Sequence, residues 1–172
     1  DLGVYRALLG PGTALLTLMT ANNETGTLFP IADLVPAAHT AGALFHTDAV
    51  QAAGRVALSV AASGVDMASF SAHKLHGPKG VGALHVRAGT PFAGLIVGGR
   101  QEKGRRAGTE NVPGIVGFGV AARLAFADCH AQHIARLRDR LESGVVTALP
   151  GTRVLGDPEA RLANTACLAF PG

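Results

Sequence analysis

The chain has 172 residues, of which 48% are hydrophobic and 16% charged, so it has ample material for a folded core. Its formal net charge is only +3, and 5% of its residues are aromatic with no Trp, which argues against a nucleic-acid-binding protein. No apolar run reaches about 18 residues without a polar interruption, which argues against a membrane-spanning helix.

The first half of the chain alternates between strand-like and helix-like segments. In chain order these are a helix-like start at 2–9, a strand at 13–19, a helix from Pro30 to about Thr40, a strand at 43–47, a helical turn near 59–62 and strands at 66–70 and 81–86. The run from Thr13 to Met19 is almost continuously apolar, which predicts a strand covered on both faces. The alternation predicts an α/β fold with a central, mainly parallel sheet flanked by helices.

The second half begins with a long loop that is rich in glycine and basic residues. Residues 88–112 show no regular period, and a loop of this length inside a compact domain is usually functional or disordered. A helical pattern follows over 112–147, with an interruption predicted near Asp128 and Cys129. Two strand-like segments end the chain, at 152–155 and 165–170.

Both ends of the chain predict that it is part of a longer protein. It starts at Asp1, without a Met, inside a helix-like segment, and it stops at Gly172 directly after a strand-like one. The two strand-like segments at the C-terminal end are interpreted as part of a different, unfinished unit.

Three polar side chains follow three different predicted strands. Asn23, Asp48 and Lys74 each come after the C-terminal end of a strand, where parallel sheets bind their ligands. A lysine that is partly removed from water gives up its proton more easily, which makes Lys74 a candidate amine nucleophile. Simpler alternatives stay open: a solvated lysine in a surface turn, an Asp48 that caps a turn, and an Asn23 that stabilises a loop.

Histidine and cysteine give weaker signals. His46 and His85 lie in apolar strands and are interpreted as core or edge side chains with satisfied hydrogen bonds. His73 and His76 have the spacing of a metal pair, but no third ligand is suitably placed, so we expect no metal. The two cysteines, Cys129 and Cys167, predict neither a metal site nor a disulfide and are interpreted as structural. A cytoplasmic location is expected for such a chain.

Four motifs together resemble those of a known enzyme family. They are Asn22-Asn23-Glu24-Thr25-Gly26, His46-Thr47-Asp48-Ala49-Val50-Gln51, Ser69-Phe70-Ser71-Ala72-His73-Lys74 and Arg105-Arg106-Ala107-Gly108-Thr109-Glu110-Asn111. In this order and at these spacings they resemble the nitrogen-fixation-type branch of the cysteine desulfurases. These are class V, fold-type I enzymes that depend on pyridoxal 5'-phosphate (PLP). The resemblance covers nearly the whole chain and implies that 1–127 is the PLP-binding large domain without its N-terminal part. It also implies that 128–172 is the beginning of an incomplete small α+β domain.

The resemblance also implies a role for each matching residue. Lys74 would be the catalytic lysine that forms the internal aldimine with PLP. The other implied contacts are Asp48 with the pyridine nitrogen, Gln51 with the phenolic oxygen, Ser71 and His73 with the phosphate, Thr109 with the phosphate of the other subunit's cofactor, and Asn23 near the phenolic oxygen and the substrate carboxylate. The resemblance likewise implies a homodimer and L-cysteine as substrate. It further implies that a persulfide sulfur is transferred to an acceptor or scaffold protein for iron–sulfur cluster assembly.

The chain departs from the family pattern in two ways. Arg100 stands where family members often have Gly, and neither Cys129 nor Cys167 matches the position of the family's nucleophilic cysteine. The family's N-terminal third and the arginine that grips the substrate carboxylate are also absent, so this chain alone is expected to be inactive. The alternatives are a selenocysteine lyase, another class V PLP enzyme, and a non-catalytic scaffold or dimerisation module.

Overall fold

The computed structural model describes residues 2–127 and 130–171. The helices are α1 (Leu2–Leu8), α2 (Ile31–Thr40), α3 (Val60–Ser63), α4 (Val112–Ala127) and α5 (Ala131–Ala148). The strands are β1 (Leu15–Met19), β2 (Leu44–Asp48), β3 (Met67–Ser71), β4 (Gly82–Val86), β5 (Arg153–Val154) and β6 (Leu168–Ala169), with short 3₁₀ turns at Ala72–Leu75 and Gln101–Gly104. The predicted helix interruption near Asp128 and Cys129 lies outside the described residues.

A four-stranded sheet forms the centre of the structure, in the order β1-β2-β3-β4. The first three strands are parallel, and β4 runs antiparallel to β3 at the edge. The prediction of a mainly parallel α/β sheet is therefore confirmed. In the register, Met19 lies opposite Asp48 and Asp48 lies opposite Ser69, so the C-terminal ends of three strands form one edge.

One face of the sheet packs against α2. The apolar residues of this helix recur at helical spacing, so one side of it is buried against Phe45 and Ala68 of the sheet. That apolar side comprises Ile31, Leu34, Val35 and Ala38. The helix ends at Thr40, and Gly42 follows with a φ of +76°, which suits a glycine after the last helical turn.

The opposite face of the sheet carries a row of polar side chains. The side chains on this face alternate with the core-facing ones along their strands, and they include Thr17, His46, Asp48 and Ser69. Leu15 lies on the same face and is 49% exposed. Coverage of the first strand on both faces stays a prediction.

The C-terminal part contacts the loop that follows β1. A backbone bridge joins Thr27 to Arg161, and Leu28 donates to the Ala160 carbonyl at 2.7 Å. Arg161 also pairs in a bidentate way with Glu142 of α5, with N–O distances of 2.8 and 2.6 Å. The strands predicted at 152–155 and 165–170 form the antiparallel pair β5–β6, although each is only two residues long. The division into domains at residue 127 stays a prediction.

Within the described parts of the chain, no single helix has the length and apolar composition to span a membrane, although α4 and α5 pass that test as a bent pair.

Gly54 carries a steric constraint that should be measurable. Its φ is +70°, and a Cβ there would lie 2.8 Å from both Ala125 Cβ and Leu75 Cδ2. We expect Gly54→Ala to lower the free energy of unfolding by about 2–3 kcal/mol, because backbone strain and a clash act together. Gly42 is the matched control, since its φ is +76° but a Cβ there meets nothing within 4 Å.

Urea unfolding of the complete protein would test the pair. Gly42→Ala should cost only the positive-φ strain, about 1 kcal/mol. An equal decrease in the free energy of unfolding for Gly54→Ala and Gly42→Ala would contradict the close packing of α4 on the turn that contains Gly54.

Candidate active site

The C-terminal edge of the parallel strands collects most of the predicted site residues. Asp48 is the last residue of β2, and Ser71 is the last residue of β3, on the same face of the sheet. His73 and Lys74 follow in the 3₁₀ turn Ala72–Leu75. The chain segments at this edge are tied together, because Thr20 donates to the Asp48 carbonyl at 2.8 Å.

Asp48 is exposed at this edge and still takes part in a turn. One carboxylate oxygen, Oδ1, accepts a hydrogen bond from the Val50 N–H at 2.9 Å. The turn-capping interpretation of Asp48 is therefore confirmed, and it does not compete with a ligand-binding role. The bond orients the carboxylate while leaving the side chain accessible to a ligand.

Ser71 and His73 form a polar pair next to Lys74. The Ser71 hydroxyl and His73 Nδ1 are 2.8 Å apart, and either can be the donor, depending on the His tautomer. The His73 side chain is exposed. A hydroxyl and an imidazole held together in this way are suited to bind an anionic group such as a phosphate.

The 3₁₀ turn that carries Lys74 is anchored by its neighbours in the chain. Ala72 and Leu75 are buried, and Leu75 belongs to an apolar cluster with Ala53 and Ala121 of α4. The turn ends at His76, which has a left-handed conformation with φ 62°. The Gly77 N–H donates to the Ala72 carbonyl at 2.9 Å and closes the turn. Lys74 is half-buried between these anchors.

Arg55 is a site residue that sequence reasoning missed. Its guanidinium donates to the Gln51 carbonyl at 2.8 Å and to the Lys74 carbonyl at 3.1 Å. It therefore joins the turn after β2 to the turn after β3. A single arginine in a small-residue stretch gives no sequence signal for such a contact.

A chain of hydrogen bonds crosses the face of the sheet that carries Asp48. His46 Nδ1 lies 2.6 Å from the Thr17 hydroxyl, and its Nε2 lies 2.8 Å from the Ser69 hydroxyl. Both ring nitrogens therefore have partners, which confirms the interpretation of His46 as a satisfied histidine. Burial lowers the pKa of His46, and the negative charge of Asp48 offsets part of that shift.

The loop after β1 is stabilised by Asn22 rather than Asn23. Asn22 Oδ1 accepts from the Glu24 and Thr25 N–H groups, both at 2.9 Å, as expected for an Asx turn. Asn23 is exposed beside it. The loop-stabilising role considered for Asn23 is therefore wrong, because the preceding residue performs it.

Thr109 is the predicted site residue that the structure leaves apart. It is exposed on the loop before α4, and across 2–127 and 130–171 its side chain has no hydrogen bond to the other predicted residues. The same loop contains Glu102 and Lys103 with φ of 49° and 59°, a left-handed stretch. Arg100 has φ −89°, which is open to any residue, so its departure from the family's Gly does not strain the loop.

His85 lies in a strand and Cys167 directly before one, and neither belongs to this edge. His85 is exposed on the edge strand β4, opposite Ala68. Cys167 is half-buried before β6, where its carbonyl accepts from the Leu155 N–H at 2.8 Å. Cys129 lies outside the described residues.

Comparison with known proteins identifies the family. The aminotransferase class-V model matches residues 1–172. The chain belongs to the class V aminotransferase family. Among members of the family, it is 59% identical over 170 residues to a protein named cysteine desulfurase from Cereibacter sphaeroides. It is 55% identical over 172 residues to another protein of that name, from Gluconacetobacter diazotrophicus.

Solved structures of family members have the same fold. A NifS-like protein superposes with a TM-score of 0.93 at 41% identity, and it covers 99% of this chain. A NifS-like protein from Rickettsia africae superposes with a TM-score of 0.92 at 34% identity. The chain spans 44% of the Cereibacter relative, 43% of the Gluconacetobacter relative, and 47% and 49% of the two solved structures.

The residues at this edge fit the cofactor that the family resemblance implies. PLP carries an aldehyde, a basic ring nitrogen and a phosphate. The edge offers an amine on Lys74, a carboxylate on Asp48, and a hydroxyl–imidazole pair on Ser71 and His73. Each group of the cofactor thus has a chemically matched side chain within adjacent strands and turns.

Proposed function

We propose that the chain is the cofactor-holding core of a PLP-dependent cysteine desulfurase. The observation that carries this proposal is the convergence of Asp48, Ser71 and Lys74 at one sheet edge. The similarity to proteins named cysteine desulfurase, at 59% and 55% identity, supports the choice of reaction within the family.

Lys74 would hold the cofactor covalently, and the surrounding residues would orient it. Bound PLP supplies an electron-withdrawing ring that weakens bonds at the α-carbon of an amino acid. Asp48 would hold a proton on the ring nitrogen, and Gln51 would donate to the phenolic oxygen. Once displaced from the cofactor by substrate, the amine of Lys74 can move a proton at the α-carbon.

The anionic groups of cofactor and substrate need the remaining polar residues. Ser71 and His73 would bind the cofactor phosphate of the same subunit. Thr109, exposed on its loop, would reach the phosphate of the other subunit's cofactor in a homodimer. Asn23 would lie near the phenolic oxygen and the carboxylate of L-cysteine.

Sulfur transfer needs a thiolate, and the described residues place none at the edge. Cys167 directly precedes β6, and its carbonyl accepts from the Leu155 N–H. We propose that the sulfur-accepting cysteine lies in the remainder of the protein, so the chain alone would be inactive. The complete enzyme would work in the cytoplasm and pass its sulfur to an acceptor or scaffold protein for iron–sulfur cluster assembly.

The attachment point can be tested because the chain has only three lysines, Lys74, Lys79 and Lys103. The complete protein would be mixed with PLP, reduced with borohydride and digested, and the modified peptide identified by mass spectrometry. We expect the label on Lys74 alone. Label on Lys79 or Lys103, or none on any lysine, would contradict the proposed cofactor site.

The reaction itself needs a separate assay. Incubation of the complete protein with L-cysteine and a reductant should release sulfide and alanine in equal amounts. A strong preference for L-selenocysteine would point to a selenocysteine lyase. Binding of PLP without turnover of either amino acid would point to a non-catalytic module.

A further inference from the structure

Arg55 contacts two of the turns that carry predicted cofactor ligands. Its Nη1 donates to the Gln51 carbonyl at 2.8 Å and lies 3.4 Å from the Gln51 side-chain oxygen. Its Nη2 donates to the Lys74 carbonyl at 3.1 Å. One guanidinium therefore joins the backbone of the candidate catalytic lysine to the segment that carries Gln51.

The chemistry of these contacts favours a geometric role over an ion pair. The hydrogen bonds of Arg55 go to neutral carbonyl and amide oxygens. Burial lowers the pKa of the guanidinium, as expected for a cation partly removed from water. A guanidinium is a planar fork with five donors, so it can fix two acceptors at once in a way that an ammonium group cannot.

Lys74 needs such a support because its own element is short. It lies in a four-residue 3₁₀ turn, a conformation with poorer hydrogen-bond geometry than an α-helix. Ala72 and Leu75 anchor the turn through their buried side chains, but neither holds the carbonyl of Lys74. Reactive groups must be held closely, since a displacement of about 1 Å can cost about 10²-fold in rate.

We propose that Arg55 is a positioning residue that fixes the backbone of Lys74 relative to Gln51. This inference rests on the proposed cofactor site and adds a residue to it that would not touch the cofactor. Loss of the guanidinium would let the Lys74 turn shift against the turn after β2. The bound cofactor would then be held less tightly and in a different orientation.

Arg55 can be replaced without emptying a position of the buried core. Its side chain is half-buried and lines a cleft of about 320 Å³ together with Lys74, His76 and Ile134. We therefore expect Arg55→Met and Arg55→Lys to fold. Arg138 provides a control in the C-terminal part: its Nη1 also donates to a backbone carbonyl, that of Leu162 at 2.8 Å, and in addition its guanidinium pairs with Asp139.

The test compares Arg55→Met, Arg55→Lys and Arg138→Met in the complete protein. Two readouts report on the cofactor: the PLP dissociation constant and the visible circular dichroism of the lysine-bound cofactor, which depends on its orientation. Thermal unfolding without PLP reports on stability alone. We expect Arg55→Met to weaken PLP binding about tenfold and to change the dichroism, because a hydrogen bond from a charged donor is lost.

In both cofactor readouts Arg55→Lys should lie between Arg55→Met and the wild type, since an ammonium keeps the charge but lacks the planar fork that donates to the two carbonyls from two separate nitrogens. Arg138→Met should lower the unfolding temperature and leave both cofactor readouts unchanged. Wild-type dissociation constants and dichroism for both Arg55 variants would overturn the inference while leaving the proposed function standing. A wild-type protein with no PLP on Lys74 would remove the proposed function and this inference together.

Discussion

Replacing Lys74 with alanine should lower the rate of sulfide release from L-cysteine by about 10³-fold or more. The variant loses both the covalent attachment of the cofactor and the group that moves a proton at the α-carbon, and the latter alone is commonly worth 10²- to 10⁴-fold. Because Lys74 is half-buried in a turn and makes no ion pair with any described residue, its removal should leave folding intact.

Two further variants separate chemistry from charge. Lys74→Arg keeps a positive charge but cannot lose its proton at neutral pH, so we expect it to be as inactive as Lys74→Ala. Lys79→Ala removes an exposed lysine from the same loop and should behave as the wild type. Sulfide release and the visible spectrum with PLP would be measured for all three. Turnover by Lys74→Ala at the rate of Lys79→Ala would rule out Lys74 as the catalytic lysine.

The sheet and the edge that carries the candidate site residues could be predicted because both follow from local sequence. Apolar runs separated by turns set the strands, and the C-terminal ends of parallel strands meet at one edge. That rule predicts from the sequence alone that Asp48 and Lys74 lie at the same edge. The antiparallel direction of β4 could not be predicted, since a strand's direction depends on the connection before it and not on its composition.

The contacts that support the edge could not be predicted in the same way. Arg55 reaches the Lys74 carbonyl across 19 positions of sequence, and Thr17 reaches His46 across 29. Such bonds depend on strand register and rotamer, which no local pattern encodes. The Asn22–Asn23 pair shows the same limit at short range, because either residue could have formed the Asx turn.

Asp66 is a buried carboxylate at the start of β3 whose loss should destabilise the protein strongly. Its side chain is 0% exposed, and Oδ2 accepts from the Phe45 N–H at 2.7 Å and lies 2.8 Å from His39 Nε2. Arg87 pairs with the other oxygen. One carboxylate therefore joins α2, β2 and the chain after β4, at the opposite end of the strands from Lys74.

Asp66→Ala should lower the free energy of unfolding by about 3–5 kcal/mol. The substitution leaves the buried Phe45 N–H without its acceptor, empties a fully buried position and removes the counter-charge of the half-exposed Arg87, so several losses add up at one side chain. Urea unfolding of the complete protein measures the loss. Asp157 is the matched control, because it also accepts from two backbone N–H groups, those of Glu159 and Ala160, but it is exposed. Asp157→Ala should lower the free energy of unfolding by far less than Asp66→Ala does.

The same carboxylate should make stability depend on pH in a definite direction. Burial acts to raise the pKa of Asp66, but the Phe45 N–H, His39 and Arg87 together bring it below the ordinary value. The unfolded state then binds the proton first as pH falls, so the contribution of Asp66 is full above about pH 4 and is lost below it, through the folded-state pKa. The stability difference between wild type and Asp66→Asn should therefore shrink as the pH is lowered from about 4 to about 3. A difference that stays constant over this range would show that the charge of Asp66 contributes nothing and that only its shape and hydrogen bonds matter.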